Sequence, residues 1–265
     1  MENKSRELEI AIKAALKAGK ILERYFETEI LKEFKEDNTP VTLADTESEE
    51  AIKRIILEAF PSHSILGEET GMTGSGSEYV WHIDPVDGTR NFANGIPLFA
   101  VSIALVQKDQ VLIGVVYNPA TQSLFYASKG KGAYFNDQKI LVSTDDINHG
   151  IVTVSPGKKS IEKQLLLELY YAIPKVVRSG RYLGCTALEL AYVARGGTEA
   201  NIQLGLSTYD FAAGTLLVQE AGGKITTLEG GEWKFPNNHF IASNGLFHDL
   251  LITEVKKGKE KLGMK

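Results

Sequence analysis

The chain of 265 residues has little of what several classes of protein depend on. It contains one cysteine, Cys185, and only five histidines, so neither an internal disulfide nor a thiolate metal cluster can form. Its longest largely apolar run, residues 98–106, is far shorter than the roughly 20 residues that a membrane helix needs. No apolar stretch follows the charged N-terminal residues, as a secretory signal would require. These absences predict a cytoplasmic protein without a membrane partner.

A strong charge of one sign is also missing. The 29 basic and 34 acidic residues leave a net charge of −5, which argues against nucleic acid as the main partner, because duplex binding needs a strongly basic face. Hydrophobic residues make up 43% and charged residues 24%, as in a folded globular protein. With one cysteine and few histidines, any bound metal would have to be a hard ion held by oxygen ligands.

Hydrophobic periodicity predicts helices and then strands in the N-terminal half. Apolar residues recur at helical spacing over residues 8–22, and a second helix is expected over residues 43–60, where Pro61 ends it. The polar residues and proline at positions 37–40 predict a turn between the two helices. Short apolar runs between residues 79 and 135 predict strands.

Strands and helices alternate in the C-terminal half, which favours a sheet covered by helices. A strand is expected at residues 175–177, and Thr186 and Glu189 have the spacing of a capping box. The chain is therefore predicted to consist of an α+β half, residues 1–145, joined to an α/β half, residues 146–265. The two halves are expected to form one continuous catalytic unit.

The hexapeptide from Asp84 to Thr89 follows a short predicted strand and combines residue types that suit a phosphate site. Pro85 fixes one backbone angle, and Gly88 permits a tight turn. Asp84 and Asp87 can then point to one side. The backbone N–H groups of Gly88 and Thr89 would point to the other side, where a helix that starts at Thr89 offers a phosphate seat. The alternative is an ordinary Asp/Pro/Gly turn with Thr89 as a helix cap.

Further acidic residues also lie at the ends of predicted elements. Glu68 and Glu69 follow a short apolar run, and Asp210 begins a predicted helix. Taken singly, the two glutamates are typical of a solvated face, and Asp210 is typical of a helix N-terminus. Together with the hexapeptide they predict a site of four carboxylates, formed by Glu68, Asp84, Asp87 and Asp210.

Such a site needs a cation. Two carboxylates roughly 4 Å apart repel each other by about 4 kcal/mol at an effective dielectric constant of about 20. Without a cation, the converging acids would therefore be driven to protonate. The lack of a His/Cys cluster favours Mg²⁺, with Mn²⁺ or Ca²⁺ as alternatives, and Mg²⁺ keeps positions open for water and phosphate oxygen. Carboxylates, a Gly-Thr amide seat and a metal ion together predict phosphoryl chemistry.

At these residues the sequence resembles the inositol monophosphatase family. This family lies within the lithium-sensitive, Mg²⁺-dependent phosphomonoesterase superfamily that includes fructose-1,6-bisphosphatase. The resemblance runs from the first helix to residues 243–245, nearly the whole chain. Its motifs are ordered and well separated: Asp45, Glu68-Glu69, DPVDGT at 84–89, GCTA at 184–187, YDFAA at 209–213 and EAGG at 220–223.

The resemblance implies a layered α/β/α/β/α fold, usually dimeric, that holds two or three Mg²⁺ ions, with Mn²⁺ as a possible substitute. Thr89 and Glu68 would orient the attacking water, and Asp45 would assist through hydrogen bonds or a further metal site. Glu69 would support the ligands, and the Gly88 and Thr89 amides would bind phosphate oxygens. The implied metal ligands are Glu68, Asp84, the Val86 carbonyl, Asp87 and Asp210.

Three departures from the family pattern bear on the substrate. Tyr209 replaces the usual tryptophan before the aspartate. Gln203 stands where many members have a glutamate that contacts substrate hydroxyls, which leaves the preference for inositol open. Arg90, Arg178 and Arg181 could meet a second phosphate, or they could be surface or subunit-contact residues. The substrate contacts that the family pattern implies are Asp87, Gly88, Thr89, Arg181, Thr186, Gln203 and Asp210.

The sequence thus predicts a Mg²⁺-dependent phosphatase that uses metal-activated water to hydrolyse a small sugar or cyclitol phosphate. Inositol 1-phosphate is the first candidate substrate. Fructose-1,6-bisphosphatase activity, alone or as a second activity, is the first alternative, followed by 3′-phosphonucleotide and histidinol-phosphate phosphatases. A protein of another class would use the same scaffold to bind RNA or the transcription machinery. The carboxylate set favours catalysis, since a pure binder need not keep all four acids. A homodimer is expected.

Overall fold

Two mixed β-sheets, with helices between and outside them, form the frame of the molecule. The computed structural model describes residues 4–26, 33–34, 40–41, 43–74, 76–146 and 148–264, so most of the predicted turn at 37–40 lies outside the described residues. The helices are α1 Arg6–Tyr25, α2 Leu43–Ala59, α3 Thr89–Phe92, α4 Ser160–Val176, α5 Thr186–Arg195, α6 Thr208–Glu220 and α7 His248–Lys261. The strands are β1 Glu33–Phe34, β2 Pro40–Val41, β3 Ser64–Gly67, β4 Gly71–Thr73, β5 Tyr79–Asp87, β6 Ala100–Gln107, β7 Gln110–Asn118, β8 Ser123–Ser128, β9 Ala133–Phe135, β10 Gln138–Ile140, β11 Ile151–Pro156, β12 Ser179–Arg181, β13 Ala200–Leu204, β14 Lys224–Thr227 and β15 His239–Ser243.

The larger sheet has eight strands in the order β10-β9-β8-β7-β6-β5-β3-β4. Its neighbours run antiparallel, except that β3 and β5 are parallel. The smaller sheet has five strands in the order β12-β11-β13-β15-β14, of which β12, β11 and β13 are parallel to one another. The strands of the larger sheet all precede those of the smaller one, with a short pair, β1 and β2, apart from both.

The helices complete five layers. α1 and α2 pack on one face of the larger sheet, and α5 and α6 lie between the two sheets. α4 and α7 cover the outer face of the smaller sheet. The expected α/β/α/β/α layering is therefore confirmed. It follows from the apolar surfaces of the helices: the outer helices bury one face against a sheet, whereas α5 and α6, which are buried nearly all round, have a sheet on either side.

The apolar run at residues 98–106 becomes the central strand β6. Its residues from Ala100 to Val106 are all buried, because α1 and α2 cover one face of the sheet and α6 covers the other. A strand buried on both faces needs an unbroken apolar sequence rather than an alternating one. In the described part of the chain, no helix is both long and apolar enough to cross a membrane.

The prediction of a strand at residues 175–177 is wrong. α4 continues through Pro174 to Val176, and the strand that pairs with β11 is formed a few residues later, by β12. The reason lies in packing: Leu165, Leu169 and Ile173 recur every four residues and are buried against the smaller sheet. This stripe holds the last turn of α4 in place despite the proline, whose missing N–H costs one helical hydrogen bond.

Candidate active site

A cavity of about 480 Å³ lies where the start of α3, the loop before α5 and the start of α6 meet. Four residues of the predicted site line it: Glu68, Gly88, Thr89 and Asp210. Three cationic residues also line it: Arg90, Lys158 and Lys159. The cavity thus combines acidic side chains that suit a cation with basic side chains that suit an anion.

A β-bulge at the end of β5 brings two aspartates to one side of the sheet. Asp84 pairs with Ser102 on β6, and Asp87 pairs with Ala100, so three steps along β5 match two steps along β6. In a regular strand, side chains three residues apart point to opposite faces. The extra residue of the bulge restores the same face. The Asp84 carboxylate is held by the Val86 N–H, which donates to Oδ1 at 2.9 Å.

Gly88 makes the turn after the bulge possible. Its φ of +86° lies in the left-handed region, where a side chain is strained. A Cβ atom here would also lie 2.8 Å from the Leu98 carbonyl oxygen and 3.1 Å from the Gly184 carbonyl oxygen. α3 begins at the next residue, and the Thr89 hydroxyl donates to the Val86 carbonyl oxygen at 3.0 Å. The turn therefore places Thr89 beside the carbonyl that the family pattern assigns to metal binding.

Two hydrogen bonds fasten the start of α6 to the larger sheet. The Ser102 hydroxyl donates to the Tyr209 carbonyl oxygen at 2.9 Å, and the His82 Nδ1 atom lies 2.8 Å from the Thr208 hydroxyl. Burial lowers the pKa of His82 to about 4, so the ring is neutral at neutral pH. Because Ser102 is the sheet partner of Asp84, its hydrogen bond to Tyr209 places the next residue, Asp210, opposite the bulge.

Three aspartates converge as a result. One carboxylate oxygen each from Asp84, Asp87 and Asp210 lies within 4.8 Å of the others. Burial, followed by the charges of Glu68 and the other aspartates, raises the pKa of Asp84 well above its usual value. Burial and the charge of Asp210 raise the pKa of Asp87 in the same direction, and burial and Glu68 raise that of Asp210 to about 7. The acids repel one another across a small buried space.

These residues fit a divalent cation. A positive ion among them would remove the repulsion that raises their pKa values and would keep all of them ionised. The available donors are carboxylate and carbonyl oxygens, which suit a hard ion of the Mg²⁺ type. The residues that would hold it are Glu68, Asp84, the Val86 carbonyl, Asp87 and Asp210.

The Asp87 carboxylate is held by the start of α5 and its N-cap residue. Its Oδ2 atom accepts a hydrogen bond from the Ala187 N–H at 2.6 Å and from the Cys185 thiol at 3.3 Å. Burial raises the pKa of that thiol well above its usual value, so Cys185 stays a protonated donor. The single cysteine of the chain thus orients a predicted ligand.

Three buried glutamates near the site were missed by the sequence reasoning: Glu162, which lines the cavity, Glu49 and Glu189. Glu49 lies one helical turn after Asp45 on α2, and both side chains are buried. Glu189 is fully buried on α5. An acid on the apolar face of a predicted helix was the signal that could have found Glu49, since Ile52 and Ile56 continue the same face.

The capping box expected from Thr186 and Glu189 is wrong. Cys185 is the N-cap of α5 and makes no side-chain capping bond. The Glu189 carboxylate instead accepts from the Leu183 N–H at 2.7 Å, from the Asn201 side chain at 3.0 Å and from the Ser155 hydroxyl. It therefore joins the cavity-lining loop at Leu183 to strands β11 and β13 of the smaller sheet.

Glu189→Gln should change how stability depends on pH. Burial raises the pKa of Glu189 from 4.5 to about 7, so the folded protein keeps this proton up to about pH 7 while the unfolded chain releases it earlier. This group therefore lowers wild-type stability as pH rises from about 4.5 to 7, by on the order of 3 kcal/mol in total. Chemical unfolding at pH 5 and pH 8 in EDTA measures the free energy of unfolding of both proteins. Relative to the wild type, the variant should be more stable at pH 8 than at pH 5. A stability difference that is the same at both pH values would contradict this expectation.

The remaining residues that the sequence links to the substrate differ in whether they line the cavity. Thr186 is buried at the first turn of α5, and the cavity lining includes Arg90. Arg181 is exposed on β12, donates to the Gly180 carbonyl oxygen at 2.9 Å and, like the exposed Arg178, is not among the described residues that line the cavity. Gln203 is fully buried in β13 and is not among the described residues that line the cavity, so its expected contact with substrate hydroxyls stays a prediction.

The fold and the site define a five-layer α/β/α/β/α protein whose carboxylate cluster suits a divalent cation. The chain belongs to the inositol monophosphatase family, whose model matches residues 3–260. The resemblance seen in the sequence is thereby confirmed across nearly the whole chain.

Relatives and solved structures support the same assignment. The chain is 38% identical to the fructose-1,6-bisphosphatase/inositol-1-monophosphatase of Aquifex aeolicus, over 98% of this chain and 99% of the relative. It is 36% identical to the Nus factor SuhB of Escherichia coli K12, over 89% of this chain and 91% of the relative. The structure of a Thermotoga maritima IMPase matches with a TM-score of 0.90 at 32% identity, covering 98% of this chain and all of that one. The family and these relatives support phosphatase activity without specifying the substrate.

Proposed function

We propose that the protein is a Mg²⁺-dependent phosphomonoesterase that hydrolyses a small sugar or cyclitol phosphate, with inositol 1-phosphate as the first candidate. The observation that carries this proposal is the convergence of Asp84, Asp87 and Asp210 within 4.8 Å, with Glu68 beside them on a cavity of about 480 Å³. A cavity of this size suits a small ligand.

The ligand set would supply the metal chemistry. Divalent ions held by these oxygens would neutralise phosphate charge and lower the pKa of a water molecule. The chain itself holds Thr89 against the Val86 carbonyl oxygen, which sets the hydroxyl to orient the attacking water together with Glu68. Asp45, buried on α2, would assist through hydrogen bonds or a further metal site.

Substrate binding would use the opposite charges of the cavity. The Gly88 and Thr89 amides at the start of α3 would donate to phosphate oxygens. Arg90 and Lys158 line the same cavity and would attract an anionic ester. Thr186 and Asp210 would contact the substrate from α5 and α6.

Fructose 1,6-bisphosphate is the second candidate substrate. The cationic residues on the cavity, Arg90, Lys158 and Lys159, favour a ligand with a second phosphate. Gln203, at the position where many members of the family have a glutamate that contacts substrate hydroxyls, is buried in β13 and leaves the preference for inositol open. The Aquifex aeolicus relative carries both activities in its name. A dual phosphatase is therefore part of the proposal.

A substrate panel tests this proposal. Phosphate release would be measured from inositol 1-phosphate, fructose 1,6-bisphosphate, adenosine 3′,5′-bisphosphate and histidinol phosphate, each with Mg²⁺, with Mn²⁺ and with EDTA. We expect metal-dependent turnover, with the highest kcat/KM on one of the first two esters. Release from neither of them at any metal concentration would overturn the proposal. Release from none of the four esters would favour the other class, a protein that uses the same scaffold to bind RNA or the transcription machinery; the relatives named Nus factor SuhB keep this alternative open.

The assembly proposed for the protein is a homodimer in the cytoplasm. The dimer comes from the family resemblance and is checked by the mass of the purified protein in multi-angle light scattering, where a monomer mass would count against it. The proposed location comes from the cysteine content of the sequence.

A further inference from the structure

The buried glutamate on α2 contacts the loop that carries Glu68. The Glu49 carboxylate accepts hydrogen bonds from the Glu69 N–H at 2.8 Å and from the Thr70 N–H at 3.0 Å. The Thr70 hydroxyl donates to the same carboxylate. Glu49 thus binds the two residues that directly follow Glu68.

The residue before Glu68 also packs on this carboxylate. A Cβ atom on Gly67 would lie 2.5 Å from the Glu49 carboxylate carbon and 2.5 Å from its Oε1 atom. Only a glycine leaves room for the carboxylate directly against the backbone. Glu68 itself donates its N–H to the Ile83 carbonyl oxygen at 3.1 Å. Glu49 therefore binds the backbone that follows Glu68 and packs against the backbone that precedes it, while β5 binds the Glu68 amide.

The three hydrogen-bond donors of Glu69 and Thr70 require a carboxylate at position 49, where both oxygens accept. Oε1 accepts from the Thr70 N–H and hydroxyl, and Oε2 accepts from the Glu69 N–H. A glutamine has one acceptor oxygen and would turn an NH₂ group toward one of these N–H donors. Such an unpaired donor in a buried place is costly, so the loop would move to relieve it.

We propose that Glu49 is a positioning residue that fixes the Glu68 carboxylate within the metal site. This inference rests on the proposed function, in which Glu68 is a metal ligand. Groups that hold a metal ligand in place act on metal affinity, and their loss typically weakens it 10–100-fold. Glu49 touches neither the cavity lining nor the three clustered aspartates among the described contacts, so its effect passes through the Glu68 loop.

The test compares Glu49→Gln with Glu50→Gln. Glu50 is the next residue on α2 and is exposed, so its replacement removes the same charge without touching the loop. The readouts are Mn²⁺ binding to the purified protein, measured by electron paramagnetic resonance, and amide hydrogen exchange of Glu69 and Thr70 in EDTA. For Glu49→Gln we expect Mn²⁺ affinity lowered by about 10–100-fold, faster exchange at both amides, and a higher Mg²⁺ concentration for half-maximal activity with KM changed less. Glu50→Gln should match the wild type in every readout.

A milder pair of variants keeps the test valid if Glu49→Gln does not fold. Thr70 is exposed, and Thr70→Val removes only the hydroxyl donor, whereas Thr70→Ser keeps it. We expect a few-fold loss of Mn²⁺ affinity for valine and none for serine. Lys53 also donates to this hydroxyl, at 2.9 Å, and Lys53→Gln should leave Mn²⁺ binding unchanged.

The outcomes separate this inference from the proposed function. If wild-type protein releases phosphate with Mg²⁺ but folded Glu49→Gln binds Mn²⁺ as tightly as the wild type, Glu49 does not position the site. Equal Mn²⁺ affinity for Thr70→Val and Thr70→Ser would also overturn the inference. If the wild type binds Mn²⁺ but releases no phosphate from any ester, the proposed function fails, and the binding data still decide the role of Glu49.

Discussion

Asp87→Asn is expected to fold normally and to lose metal-dependent phosphatase turnover. Asparagine keeps an oxygen that can accept from the Ala187 N–H and the Cys185 thiol, so the local hydrogen bonds survive. It removes the charge that faces Asp210 and that would face a cation held by these residues. An interaction of about 4 kcal/mol, as expected for unit charges at roughly 4 Å, corresponds to on the order of 10³-fold in kcat. Phosphate release at saturating Mg²⁺ gives this number.

The same variant should be at least as stable as the wild type without metal. Burial and Asp210 raise the pKa of Asp87, which means that its charge is unfavourable in the metal-free protein. Thermal unfolding in EDTA should therefore give an unchanged or higher Tm for Asp87→Asn, while the rise in Tm caused by Mg²⁺ in the wild type should be lost. Asp109→Asn, at an exposed hairpin turn, is the matched control and should behave as the wild type. Near-normal turnover of Asp87→Asn would remove Asp87 from the proposed metal site.

Gly88→Ala should lower both stability and activity. The φ of +86° strains any side chain, and the new Cβ would meet the backbone oxygens of Leu98 and Gly184, which are not free to move as a flexible side chain is. Strain and overpacking together predict a loss of about 3 kcal/mol in the free energy of unfolding. Displacement of the turn between Asp87 and Thr89 predicts a loss on the order of 100-fold in kcat/KM. Urea unfolding and steady-state kinetics measure the two effects.

A second glycine separates strain from crowding. Gly222, after α6, has a φ of +83°, and a Cβ there would meet no atom within 4 Å. Gly222→Ala should therefore cost only the conformational strain, about 1 kcal/mol, and leave kcat/KM unchanged. Equal losses for Gly88→Ala and Gly222→Ala would show that the contacts with Leu98 and Gly184 do not matter.

Local periodicity predicted the long elements because their burial pattern is written in consecutive residues. The run at residues 98–106 is recognisable as a buried strand, and the helices α1 and α2 follow from their apolar spacing. The short segment at residues 175–177 was misassigned, since a few apolar residues fit a strand or the end of a helix equally well. Packing of Leu165, Leu169 and Ile173 on the smaller sheet stabilises the helical conformation of this segment.

Some residues of the site could likewise be identified from the sequence, and others could not. The residue types of the DPVDGT hexapeptide and its neighbours identify acids that suit a cation, and their order identifies a family. The roles of Glu49 and Glu189 were hidden, because an isolated glutamate in a helical segment is most often solvated. Their partners, the Glu68 loop and the strands at Ser155 and Asn201, are distant in the chain.

By itself, the sequence determined the chemistry that this protein can support: oxygen ligands instead of thiolates, a turn that only glycine permits at position 88, and membership of one family. The tertiary structure alone decided where those groups meet. The bulge between Asp84 and Asp87 depends on pairing with β6, and Asp210 reaches them because Ser102 binds the start of α6. Local turns follow from neighbouring residues, but the distance between residues 87 and 210 depends on the packing of α6 on the larger sheet.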